Sequence, residues 1–211
     1  MWLMEVNMAL WVEEATENII AAAKEEFLKY GFIDASLRRI ADKANTSPRS
    51  IYTRFSDKEE LFTHFVKEHA DYFLAGMEKY LKNFSASPKE EQMEGRKENS
   101  SNFAFTLLDY IYDNFDAFYM IVCCSKGTVY ENFIEQIAAL ETEHTQKYLI
   151  AIDSEIRDLP KVTAEFIHMM SRSFFDGFFE TVRHGFDREK AREHIEKLIL
   201  FHNGGWEKFL I

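Results

Sequence analysis

The residues best equipped for chemistry in this 211-residue chain fall between Ser36 and Lys58. Ser47-Pro48 is a helix start, with the serine as N-cap and the proline at the first helical position, where its missing N–H costs nothing. Ile51 and Phe55, four apart, give this short helix an inward face and leave Pro48, Arg49, Ser50, Tyr52, Thr53 and Arg54 outward. An outward guanidinium such as that of Arg49 can hydrogen-bond guanine O6 and N7, and Thr53 offers a hydroxyl or a methyl to a base edge. Ser36, Ser47, Ser50, Tyr52 and Lys58, with Arg54 as a further cation, supply the hydroxyls, charges and capped helix starts that suit phosphate. Charge alone also fits a helical hairpin with a solvated basic face.

These side chains need a frame, and the spacing of apolar residues predicts one. A first helix runs from about Glu13 to Tyr30, with Ile19, Ala23, Phe27 and Tyr30 on one side and Gly31 as its stop. Ser36 caps a second, short helix with Leu37, Ile40, Ala41 and Ala44 inward. Asn45-Thr46 breaks it before Ser47-Pro48 restarts the chain. Asp57 and Glu60 form a capping-box pattern that opens a long helix to about Leu81. Two short helices joined by a tight turn behind a longer one make a helix-turn-helix, whose second helix fits the major groove.

The overall charge argues against nucleic acid, since the chain carries net −11. Its distribution does not. Arg38, Arg39, Lys43, Arg49, Arg54 and Lys58 face only Asp42 and Asp57 between residues 37 and 58, a basic island on an acidic body. Three prolines and eight glycines are too few for a loop-rich β fold, so the chain reads as all-α. The longest apolar run, 117–124, is far too short to span a membrane. Two adjacent cysteines make no disulfide framework, and the first ten residues lack a basic leader. A cytoplasmic protein without membrane partners is expected.

Residues from about Ala15 to Phe65 resemble the DNA-binding domain of the TetR family of bacterial transcriptional repressors. The resemblance rests on Phe27 to Phe32, on Ser36-Leu37-Arg38-Arg39-Ile40-Ala41, and above all on Ser47 through Leu61 with its Tyr-x-x-Phe-x-x-Lys-x-x-Leu pattern. It implies that Tyr52 and Lys58 hold phosphates and that Pro48, Arg49 and Thr53 read bases. Asn45 stands where the family usually has glycine. Asparagine is the next-best residue for a left-handed turn, so the turn survives. The resemblance also implies a palindromic DNA operator, a homodimer, and a second domain that binds a small-molecule inducer. The expected division is a helix-turn-helix domain at 1–57, including an N-terminal extension at 1–12, and a ligand-binding and dimerisation domain at 58–211.

Beyond a polar connection at 84–100, helices are expected over 102–124, 128–152, 162–184 and 187–210. The inducer pocket is expected among Tyr110, Asn114, Phe118, His144, Tyr148, Met170, Arg172 and Phe174, although the same residues describe a packed core. Acidic surroundings favour a cationic or neutral lipophilic ligand. Ile195, Ile199, His202, Trp206 and Phe209 form a heptad-like seam. With the small residues Ser173 and Gly177 on the preceding helix, this seam predicts a four-helix dimer interface, against the alternative of ordinary core packing. Cys123-Cys124 reads as a thiol switch or as small buried hydrophobes. Glu141…His144 and Glu165…His168 match the Glu-x-x-His spacing of di-metal carboxylate enzymes, but chance supplies about as many. No metal, cofactor or catalytic site is expected. A helical adaptor that binds only protein is the remaining alternative.

Overall fold

The computed structural model describes residues 2–87, 96–152 and 162–210. All elements among the described residues are helical: α1 (Trp2–Asp34), α2 (Leu37–Lys43), α3 (Pro48–Tyr52), α4 (Lys58–Ala86), α5 (Arg96–Asp113), α6 (Phe115–Tyr119), a π-helical stretch (Met120–Cys124), α7 (Phe133–Ile152), α8 (Ala164–Arg183) and α9 (Arg188–Leu210). They pack as two compact units, one of residues up to His69 with Asp116–Glu131, the other of Ala70–Phe115 with Asn132–Ile211. The first half of α4 and a segment far along the chain thus lie in the same unit as α1 to α3.

In the first unit α1 packs on α2, α2 on α3, and the π-helical stretch on α1. The core holds Ile19, Phe27, Ile40, Ile51 and Phe62 with essentially no exposure. The Phe27 ring lies edge-on to Phe62 at 5.1 Å, and Phe32 meets the same ring at 5.5 Å. Gly31 breaks α1 as expected, with φ 71° and ψ 172°, but one further turn follows it to Asp34. At the other end α1 begins at Trp2, so the 1–12 extension is helical from that residue.

The turn between α2 and α3 follows from its hydrogen bonds. The Thr46 N–H donates to Ala41 O at 2.9 Å and the Asn45 N–H to Asp42 O at 3.2 Å, the pair of bonds that closes a helix on a left-handed residue. Asn45, at φ 50°, is that residue, the one non-glycine with positive φ among the described residues. Ser47 then caps α3, its Oγ accepting the Ser50 N–H at 3.3 Å.

The second unit is built from the rest of α4 with α5, α7, α8 and α9. Here α8 packs on α7, and α9 on both α5 and α8. Phe73, Phe133 and Phe179 meet at centroid distances of 5.7 to 6.1 Å in its core. Arg192 pairs with both oxygens of Asp109 at 2.9 Å, tying α9 to α5. Gly185, at φ 59°, ends α8, and the Phe186 N–H closes back on Thr181 O at 3.0 Å.

Two sequence expectations change. The single helix over 102–124 is broken at Asn114, whose Nδ2 donates to Tyr110 O at 2.9 Å. The Asn114 N–H itself is shared between Tyr110 O and Ile111 O at 3.2 and 3.1 Å, and the helix ends there. The segment after it belongs to the first unit, where Ser125 Oγ donates to Ile121 O at 2.6 Å across the π-helical turn. The expected polar connection at 84–100 is helical at both described ends, and its middle, 88–95, lies outside the described residues.

If the turn rests on these bonds, Ser47→Ala should destabilise the chain by about 1 kcal/mol in urea unfolding. Asn45→Val should cost about 1–2 kcal/mol and Asn45→Gly nothing.

Candidate nucleic-acid interface and ligand hollow

A five-residue helix does not hold itself, so the position of α3 depends on side-chain struts. Ile51 is fully buried and Phe55 nearly so. Arg54 Nε donates to Thr16 Oγ1 on α1 at 2.7 Å, and its Nη1 donates to Ser50 O and Ser50 Oγ, both at 2.8 Å. One further strut holds α2. The buried Glu26 carboxylate accepts the Ser36 N–H at 2.9 Å and Arg39 Nε at 2.8 Å. Burial alone would raise the Glu26 carboxyl, but the bonds from Arg39 and the Ser36 N–H hold it below its ordinary value. The Arg39 guanidinium also donates to Asp34 O at 2.7 Å and lies over the Tyr30 ring at 4.5 Å.

On this frame Pro48, Arg49, Tyr52 and Thr53 are exposed and share the outer side of α3 and its cap. The Arg49 guanidinium has no hydrogen-bond or ion-pair partner among the described residues, and Arg38 is exposed in the same way. Thr53 Oγ1 donates to Ser50 O at 2.7 Å, which leaves its methyl outward. Ser36 and Ser47 both act as N-caps, each accepting the N–H three residues on.

Three expected phosphate ligands are engaged inside the unit instead. Lys58 Nζ donates to Phe32 O, Ile33 O and Ala35 O at 2.7, 3.1 and 3.2 Å and lies 4.5 Å from the Phe32 ring centroid. An ammonium has three N–H donors, and all three are engaged here. Burial lowers its pKa, with Asp34 pulling the other way. Arg54 and the Ser50 hydroxyl hold each other and α1. Sequence reasoning missed the converse, that Glu26 and Arg39 form the strut. The signal was a glutamate on the otherwise apolar side of α1, next to Phe27.

The C-terminal expectations divide similarly. Two hollows of about 140 and 160 Å³ in the second unit share Tyr80, Leu81, Ser100, Glu141, Asn203 and Trp206. Each is the size of an apolar cavity that holds one benzene ring. Met170 and Phe174 line the first, His144 and Tyr148 the second. The other four expected pocket residues do not line either. Tyr110 stacks on Tyr72 at 4.2 Å, and Asn114 back-bonds to the end of α5. Phe118 is fully buried in the first unit. Arg172 pairs with Asp176 at 2.8 Å and Glu135 at 2.7 Å.

Within the hollows Glu141 stands apart. Its Oε2 is closed off from solvent without a hydrogen-bond partner, while the carboxyl takes one bond from Ser171. Burial raises its pKa against the lowering effect of that bond. Burial also pushes Tyr80 up to about 12, with the nearby Glu141 charge adding to the effect, and lowers His202 and His144.

The expected dimer seam turns inward. Ile195 and Ile199 are buried, His202 and Trp206 line a hollow, and Phe209 packs on Phe166 at 5.2 Å. Gly177 lets α9 approach, since a Cβ there would stand 3.2 Å from Leu198. Ser173 alone of the seven is exposed, while Leu200 and Phe201 on the far side of α9 are 74% and 78% exposed. The two Glu-x-x-His pairs do not converge: His144 Nδ1 meets Ser85 Oγ at 3.2 Å, and His168 Nε2 meets Glu135 at 3.0 Å. Cys124 is buried, its thiol pushed up to about 11 by burial, which keeps it protonated and unreactive; Cys123 is exposed.

Lys58→Met should unfold at lower urea, by about 1 kcal/mol or more, because three carbonyls lose their donor. Arg49→Ala should leave the midpoint within about 0.5 kcal/mol.

Residues 19–65 match the family described as bacterial regulatory proteins, tetR family. The HTH-type transcriptional activator FasR of Mycolicibacterium smegmatis is 31% identical over 70 residues, which covers 33% of this chain and 32% of that protein. The chain thus matches about a third of that relative's length. Among solved structures, a protein described as a fatty acid metabolism regulator from Clostridium perfringens superposes with TM-score 0.54 at 20% identity, covering 88% of this chain and 97% of the other. The TetR-family regulator PfmR from Thermus thermophilus gives 0.52 at 15%, covering 86% and 96%. A TetR-family protein from Mesorhizobium loti gives 0.51 at 17%, covering 90% and 96%. These three likenesses concern the fold. No helix among the described residues is long and apolar enough to cross a membrane. Residues 19–65, which hold the helix-turn-helix, thus carry a likeness to the TetR family of bacterial regulatory proteins.

Proposed function

We propose that the protein is a ligand-responsive transcriptional regulator that binds a palindromic operator as a homodimer and is released by a small lipophilic molecule. The observation that carries this reading is the outer side of α3, where Pro48, Arg49 and Thr53 are exposed and the Arg49 guanidinium is unengaged. Arg49 reads a guanine edge, Pro48 and the Thr53 methyl make apolar base contacts, and Tyr52, 54% exposed, reaches the backbone. The exposed Arg38 takes a further phosphate.

In the dimer two recognition helices lie about one DNA turn (~34 Å) or more apart. Leu200 and Phe201 of α9, exposed in the single chain, are the apolar side chains a partner subunit would cover. A ligand in the hollows of the second unit biases the helix separation to the extent that it fits one state better than another. The chain connects the two units through α4, which contributes residues to both. Repression is the family's common mode and is our reading here, although the M. smegmatis relative is an activator. The fatty-acid subject named for the C. perfringens protein concerns that protein. None of the described residues lining the hollows is a Lys or Arg that would meet a carboxylate.

An operator selected from random duplexes tests this. Binding should weaken steeply as salt rises. Arg49→Ala should lose about 1–3 kcal/mol of discrimination at one base pair per half-site. Unchanged operator preference in Arg49→Ala, or association insensitive to salt, would refute it.

A further inference from the structure

The hollows hold a carboxylate that the fold does not use. A buried polar atom in a native protein is almost always hydrogen-bonded, because leaving it unsatisfied costs the full desolvation of that group. Glu26 obeys the rule, with Arg39 and the Ser36 N–H on its carboxylate. Glu141 Oε2 does not: it is closed off from solvent and unpartnered, and its residue lines both hollows.

The walls around it are aromatic. Tyr80 on α4, Phe103 on α5, Phe174 on α8 and Trp206 on α9 line the first hollow, and Tyr80, Phe84, Tyr148 and Trp206 the second. Aromatic faces attract cations through their negative quadrupole. The titratable groups facing Glu141 are Tyr80 on α4, His144 on its own helix and His202 on α9. Burial keeps the phenol protonated and disfavours the charged form of both imidazoles, so none opposes a cation at neutral pH. From α8 it meets Ser171, which carries no charge.

Building on the ligand-site reading above, we propose that these hollows bind a lipophilic organic cation, an aryl- or alkylammonium, with Glu141 as its counter-ion. In the empty protein burial favours the protonated form of Glu141. The incoming positive charge stabilises the carboxylate, the proton leaves to solvent, and the orphan oxygen gains an opposite charge beside it. A permanently charged ligand therefore binds more tightly as pH rises above the ordinary carboxylate range. The gain ends once Glu141 is already ionised in the free protein.

Phenyltrimethylammonium and tert-butylbenzene have the same shape and differ in charge, so calorimetry on the full chain with this pair separates charge from fit. At neutral pH the cation should bind about tenfold or more tighter than the hydrocarbon. In buffers of different ionisation enthalpy it should release about one proton, and the hydrocarbon none. Glu141→Gln should lose the preference and the proton release while still holding tert-butylbenzene. That retained binding reports an intact hollow, and the wild-type proton count stands whether or not the variant folds. Binding of the hydrocarbon alone, or of the cation without proton release or equally well in Glu141→Gln, would overturn the proposal and leave the hollow as a ligand site. Binding of neither would overturn both.

Discussion

A helix of five residues has no stability of its own, yet the exposed Pro48, Arg49 and Tyr52 stand on one. What holds α3 is a set of ties to longer helices. Ile51 and Phe55 enter the core, Arg54 reaches Thr16 on α1, and α2 is pinned by Arg39 and the Ser36 N–H on Glu26. The direction of α3 is thus set by α1, whose length makes it the stiff member. The left-handed Asn45 turns the chain between α2 and α3, and hydrogen bonds from Asn45 and Thr46 back to α2 close that helix at the angle the turn requires. Losing any of these ties would move the outer face of α3 even if the helix itself survived.

The same requirement sorts the cations of the basic island. Arg39, Arg54 and Lys58 each satisfy oxygens within the first unit, and Lys43 pairs with Glu25. Arg38 and Arg49 are left facing outward. A cluster of six basic residues therefore presents fewer free charges than its composition suggests. The tied members matter by holding the frame on which the free ones stand. The arrangement fits a protein that is acidic overall, because a small positive face needs only enough charge to be attracted to DNA, while geometry supplies the selectivity.

This sorting marks where sequence reasoning succeeds and where it stops. Caps, breakers and apolar spacing are local, so Ser36, Ser47, Pro48, Asn45 and Gly185 gave the helix starts and stops to within a few residues. The fate of a side chain is not local. Lys58 lies 26 residues from the Phe32 carbonyl it caps, and no spacing rule links them. The heptad-like seam of α9 raises a related question. Ile195, Ile199, His202 and Trp206 needed burial, but a period cannot say whether the burying surface belongs to the same chain. The break at Asn114 was hidden because an apolar run reads as one helix in the sequence.

Two carboxylates bring these strands together. Glu26 and Glu141 both sit on helices with apolar neighbours; the place of Glu26 on the apolar side of α1 was a signal in the sequence, and Glu141 had none. In the folded chain Glu26 meets a guanidinium and a backbone N–H, and its pKa falls; Glu141 meets one hydroxyl, and its pKa rises. The first is a polar group that the fold needs, since without it Arg39 and the start of α2 would lose their anchor. The second destabilises the empty protein, because an unsatisfied buried oxygen contributes nothing to packing that an apolar side chain would not supply better. Glu141 Oε2 in the second unit and the outward guanidinium of Arg49 in the first are both polar groups that the fold leaves without a partner among the described residues.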